Sequence, residues 1–310
     1  MGSVRQTLPN AQVDVDDART FSVADWSARD KRLDAPGALR LWHLTSLDAP
    51  TVAVVWSLGF AWAGGVRLPV WIPVLLALAG WAVYIGDRLM DARTALRNGD
   101  FEGLRERHLF HYRHWRVLAP LAVCAAAGAA AILLTLMPAA ARGRNSVLAA
   151  AALLYFTGVH SARRPAWMER FWLAPIFKKE LLVGVLFTAA CALPALSRVA
   201  AQARLPLITA AVFFALLAWL NCHAIDRWES LTYVLRPWIF RLACFLALAG
   251  LVTAILLIEH RARAAALVLT GVASSMLLAG LDRLRNRLCP LALRAAADLV
   301  LLTPLALLWR

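Results

Sequence analysis

In the stretch "VYIGDRLMDARTALRNG", residues 83–99, two aspartates fall four residues apart at the edge of a long apolar run. On a helix, Asp87 and Asp91 share one face, where like charges repel. Unless both are simply hydrated, a positive charge belongs between them. A second stretch, "LNCHAIDRWES", residues 220–230, repeats the theme: Asp226 and Glu229 lie three apart, again on one helical face, with Asn221 before them. Four carboxylates from two helices make a poor site for anything but a hard cation. Mg²⁺ is the natural occupant, because it takes few carboxylates, keeps its waters and completes its octahedron with phosphate oxygens. Basic side chains near the acids then hold the rest of a polyphosphate. Arg88, Arg93, Arg97, Arg163, Arg164, Lys178, Lys179 and Arg227 are the candidates. Tyr84, Tyr155 and His223 are pocket candidates, with plain packing as the other role for each.

The elements that must position these groups are membrane helices. The chain is 61% hydrophobic over 310 residues, with a mean hydropathy of +0.63. Its apolar runs repeatedly approach the ~20 residues that cross a bilayer core. The expectation is an all-α, polytopic membrane protein: a bundle of nine transmembrane helices over about 49–66, 68–91, 117–137, 145–161, 180–198, 205–225, 237–258, 264–281 and 292–309, with helical caps on the cytoplasmic side. Residues 1–37 are polar and mix acid with base, so they read as a flexible cytoplasmic tail. Residues 38–310 form one domain. "GALRLWHLTSLD", residues 37–48, suits a helix lying in the interface. Five cysteines are scattered singly without metal-ligand spacing and are expected to be mostly buried small hydrophobes.

Orientation follows from the basic residues. Of the 33 Lys and Arg, 25 fall in the tail and in the alternate loops on its side, with Arg88, Arg241 and Arg294 counted in adjoining helix ends. That imbalance puts the N-terminus in the cytoplasm, the inner membrane of a bacterium being the expected location. The net charge of +14 is therefore a face charge, read as contact with anionic membrane lipids or as a basic rim round an anionic substrate, with no nucleic-acid partner expected.

Two acidic helix ends, one in each half of a nine-span bundle, resemble the UbiA superfamily of intramembrane prenyltransferases. The family's first motif, NxxxDxxxD, is met here as Val83-x-x-x-Asp87-x-x-x-Asp91, without the leading Asn. Its second motif is looser: Asp226 matches, Glu229 stands one residue early and Ser230 replaces the expected acid. "IFKKELLVG", residues 176–184, sits where the family carries a basic element. The resemblance covers roughly residues 40–309. It implies Mg²⁺ on Asp87, Asp91, Asp226 and Glu229, an isoprenoid diphosphate donor and a lipophilic acceptor. Lys178 or Lys179 and an Arg take up charge as the C–O bond breaks.

Other readings stay beside this one. A terpene cyclase of the same superfamily uses the same ionisation without an external acceptor. A CDP-alcohol phosphotransferase is also Mg²⁺-dependent, but "DRLMDARTALRNGD" lacks the Gly after its second acid. A transporter or scaffold would need no metal. His108, His111 and His114 fall on one side of a short helix and read as an amphipathic cap over the second and third spans rather than a metal site. Arg294 and Asp298, four apart in the last span, read as a local ion pair, with a lid or polar contact on the cavity as the other role for Asp298.

Overall fold

The computed structural model describes residues 33–97, 106–160, 179–229 and 238–309. Among these, every regular element is a helix, and an isolated bridge pairs Leu33 with Leu288. The order is α1 (Gly37–Leu44), α2 (Asp48–Gly64), α3 (Trp71–Arg97), α4 (Glu106–Arg113), α5 (Trp115–Thr135), α6 (Ala139–His160), α7 (Lys179–Leu196) and α8 (Ala201–Glu229). Then come α9 (Trp238–Glu259), α10 (Arg261–Leu284), α11 (Pro290–Leu299), a 3₁₀ turn (Val300–Leu302) and α12 (Leu305–Leu308). Arg261, at φ −153° and ψ 66°, is the non-helical joint between α9 and α10.

Six helical stretches among the described residues are long and apolar enough to cross a membrane: α3, α5, α8, α9, α10 and Pro290–Leu308. The pair α1 and α2, bent by 89°, makes a seventh if the two are taken as one span, and α7 is apolar but shorter. All nine segments expected from the sequence fall on helix, yet fewer than nine meet the length and hydropathy that a crossing needs. The protein is an integral membrane protein. Phe245, Leu248, Val252, Ile255 and Leu256 on α9 all lie exposed, an arrangement that suits lipid and not water.

Helix α2 is the centre of the bundle, buried on most of its length and packed against α3, α7 and α10. Its Trp56 stacks on Phe214 of α8 with centroids 3.7 Å apart, and the indole N–H donates to the Leu301 carbonyl at 2.8 Å. Burying a ring of this size is the largest single apolar gain available to a side chain, and its polar atom is satisfied. Gly65 ends the helix in the left-handed conformation at φ 65°, and Val66 N–H reaches back to the Ala61 carbonyl, so the orphan carbonyls of the last turn are paired.

Helix ends expected on one side of the membrane meet at one end of the bundle. There Asp282 of α10 accepts from Trp228 Nε1–H of α8 at 2.8 Å and from the backbone N–H of Phe240 at the start of α9 at 3.1 Å. At the other end the Gly64–Gly65 turn lies beside Val199 and Arg263.

Two boundaries and one residue class differ from expectation. Among the described residues the compact unit already includes Leu33, before residue 38: Leu33 N–H donates to the Arg287 carbonyl and Cys289 N–H to the Leu33 carbonyl. Residues 37–48 are helical only as far as Leu44 and then turn sharply into α2. Of the five free cysteines only Cys191 is fully buried; Cys124 is exposed and the other three are half-buried, since an apolar segment in lipid has an outer face as well as a core.

Candidate functional site: a buried polar cluster at one helical end

The site is built at the bend between α1 and α2. Residues five apart on a straight helix point to different sides, but Ser46, at φ 56°, takes the left-handed conformation and folds the chain back. Such a backbone costs about 1–2 kcal/mol in a residue with a Cβ. The bend sets the ring of His43 against Asp48, with Nδ1–H donating to Oδ2 at 2.6 Å, while Asp48 Oδ1 accepts from Ala49 N–H at 2.9 Å. Both side chains are buried.

Four other helices deliver polar groups to the same place. From α11, the Asp298 Oδ2 comes to 4.0 Å from His43 Nδ1. From α8, Asn221 donates its Nδ2–H to Asp298 Oδ1 at 3.0 Å. Helix α3 brings in Arg88, only 4% exposed, which feels the charges of both Asp48 and Arg294. Helix α4 brings in His111. Its Nδ1 lies 2.7 Å from the Arg107 carbonyl and its Nε2 3.2 Å from Ser46 Oγ. The carbonyl can only accept, so Nδ1 carries the proton and Ser46 O–H donates to Nε2. Burial pushes the His111 pKa down to about 4, so the ring is neutral at physiological pH.

Glu229, on the last turn of α8, accepts from Arg107 and Arg294, each at 3.1 Å. Arg294 therefore pairs across helices with Glu229, not with Asp298 four residues along its own helix. Three buried polar atoms in the cluster lack hydrogen-bond partners: Nε of Arg88, Nε of Arg294 and Oδ1 of Asn221.

The residues singled out from sequence distribute unevenly over this arrangement. The buried side of α3 carries Ile85, Arg88 and Ala92. Asp87 and Asp91 flank it half-buried, and Val83, at the family's Asn position, is exposed. Tyr84, one turn before Arg88, lies within electrostatic reach of Asp48 and Asp298. Asn221 is inside the cluster, and His223 is buried with its ring stacked on Trp219. Asp226 is exposed and Arg227 half-buried. Arg93 is exposed and borders a groove formed with Leu89, Ala92, Tyr112 and Trp115. Arg163, Arg164 and Lys178 lie outside the described residues, as do the side chains of Arg97, Tyr155 and Lys179.

Asp87 and Asp91 lie one turn apart on α3, both half-buried. The second pair does not fit the expected Mg²⁺: Glu229 is already neutralised by two guanidinium groups, and Asp226 faces out. Among the described residues the group of three possible ligands whose donor atoms all lie within 4.8 Å of one another is His43, Asp48 and Asp298. Of the three, the sequence points only to Asp298, as an ion-pair partner or a polar contact on the cavity, although "LWHLTSLDAP" does place His, Ser and Asp in an otherwise apolar stretch. The three histidines expected on one side of α4 also part company: His108 and His111 are buried, while His114 follows the helix end and is exposed. Comparison of the chain with protein-family models, with curated proteins and with solved structures finds no match.

Proposed function

We propose that this protein is an intramembrane enzyme that binds an isoprenoid diphosphate and transfers its prenyl group to a lipophilic acceptor. The observation that supports the reading is the pair Arg88 and Arg294. Each has a buried Nε–H with no acceptor, and each lies within electrostatic reach of the other. Two like charges with unpaired donors in a low-dielectric setting leave a place for an anion. A diphosphate joined to an apolar chain satisfies both the arginines and the surrounding helices.

In the reaction the allylic C–O bond breaks with its electron pair leaving on the diphosphate. Arg88 and Arg294 hold the charge that develops there. A carbon nucleophile of the acceptor then captures the allylic cation and loses a proton. Asp87 and Asp91 are the residues that would hold Mg²⁺, which when bound neutralises the diphosphate. The arginine-rich end of the bundle is read as cytoplasmic, where soluble diphosphates are supplied, and nine crossings as the complete topology.

The test is ligand stabilisation of the detergent-purified protein by farnesyl or geranylgeranyl diphosphate with Mg²⁺, followed by product analysis. Either diphosphate is expected to raise the melting temperature, and Arg88→Gln or Arg294→Gln to weaken its binding at least tenfold, which is about 1.4 kcal/mol. No stabilisation by any isoprenoid diphosphate would overturn the reading. Efficient formation of a cyclic product without acceptor would assign the protein to the cyclase reaction, which begins with the same ionisation.

A further inference from the structure

The carboxylates of Asp48 and Asp298 belong to helices far apart in sequence, yet within the cluster their oxygens come within 4.8 Å of each other. Both are held in position. Asp48 takes the Ala49 N–H and Asp298 the Asn221 amide. A buried carboxylate and a half-buried one brought together in this way need a positive charge or a shared proton between them.

The His43 ring completes the group. Its Nδ1 lies 2.6 Å from Asp48 Oδ2 and 4.0 Å from Asp298 Oδ2, and donor atoms of the three residues all fall within 4.8 Å. Metal bonds of about 2.0–2.2 Å place neighbouring ligand atoms about 3–4 Å apart, so an ion enters once the 2.6 Å contact opens slightly and His43 gives up its Nδ1 proton. An independent observation comes from Asn221, which is 4% exposed. Its amide nitrogen is used on Asp298, and its carbonyl oxygen Oδ1 stays buried beside the group with no donor. A buried neutral oxygen without a donor, on the side chain that holds the Asp298 carboxylate, is a cation ligand's situation.

We infer that His43, Asp48 and Asp298 form a binding site for one first-row divalent cation, with Asn221 Oδ1 as the fourth protein donor. One imidazole with two carboxylates suits Mn²⁺, Fe²⁺ or Zn²⁺ better than Mg²⁺, which prefers oxygen alone. The site is separate from the Asp87–Asp91 pair and does not depend on a prenyl substrate. Arg88 is close enough to oppose the ion's charge, while the two carboxylates offset that charge in full.

The experiment is a titration of the metal-stripped, detergent-purified full chain with Mn²⁺, following the signal of free Mn²⁺ by electron paramagnetic resonance. One saturable site per chain is expected. Asp298→Asn keeps the side-chain shape and should weaken Mn²⁺ binding at least tenfold, as should His43→Gln. Asp87→Asn and Asp91→Asn should leave it unchanged. Melting curves of the metal-free variants report whether each is folded, and Asp298→Asn alone suffices if His43→Gln is not. Absence of saturable binding would overturn the site in favour of a shared proton, and so would binding that survives Asp298→Asn but disappears with Asp87→Asn. Arg88→Gln and Arg294→Gln test diphosphate binding without removing a metal ligand, so each of the two readings can fail alone.

Discussion

His111 shows how one side chain ties stability to pH. Its ring is wedged between α4 and the α1–α2 bend, and it is kept neutral because burial outweighs the helpful Arg107 carbonyl. The folded pKa is lowered to about 4 from the ordinary 6.5. Between those values the unfolded chain binds a proton that the folded chain refuses, so stability falls as pH drops from about 6.5 towards about 4 and is flat above. The full shift corresponds to at most about 3 kcal/mol, and about 1 kcal/mol is expressed by pH 5.5. Melting of the detergent-purified protein at pH 7.5 and 5.5 should show the loss, and His111→Gln should reduce the difference. An unchanged difference in that variant would mean that the acid sensitivity arises elsewhere. The same residue marks the limit of the sequence. A histidine repeat at positions 108, 111 and 114 is visible, but which ring faces in depends on where α4 stops and what it packs on.

At the level of elements, the helices follow from apolar run length, which is why every expected segment falls on one. Which face of a helix turns inward is less accessible from the sequence. On α3 the conspicuous acids sit beside the buried stripe, and Arg88, one residue from Asp87, occupies it. The His43–Asp48 contact is harder still, because it exists only through an 89° bend that no periodicity announces. Contacts between helices are also set by small residues, which let backbones approach where apolar attraction adds little. Gly184 of α7 is such a position: a Cβ there would lie 2.9 Å from the Trp219 backbone nitrogen and 3.0 Å from the Ala215 carbonyl oxygen on α8. Backbone atoms cannot rotate away, so the helices themselves must separate. Gly184→Ala should therefore destabilise the protein by about 1–3 kcal/mol, read as a lower melting temperature. An unaltered melting temperature would show that α7 and α8 have room to spare.

For the whole molecule the decisive question is which end faces the cytoplasm. The contacts divide the described residues between two ends without reference to a membrane. Arg107, Glu229, Asp282 and Arg294 meet at one, while Gly65, Val199 and Arg263 meet at the other. The sequence adds the asymmetry: of the 33 Lys and Arg, 25 fall in the N-terminal segment and the alternate loops that the nine-span expectation puts on one side, and basic residues are retained on the cytoplasmic side of bacterial and eukaryotic membranes alike. The candidate site belongs to the first of the two ends, so the orientation also determines from which compartment an anionic ligand arrives. His114 and Arg198 are exposed residues at opposite ends and serve as reporters. In a background with the five native cysteines replaced, His114→Cys should react with a membrane-impermeant maleimide only after the cells are opened. Arg198→Cys should react in intact cells. The reverse pattern would turn the molecule over and bring the site to the outer face, where soluble prenyl diphosphates are not supplied, and the prenyltransferase reading would lose its source of substrate. Labelling of both positions from one side would instead require an even number of crossings between residues 114 and 198, against the proposed nine-crossing topology, in which α5, α6 and α7 each cross once.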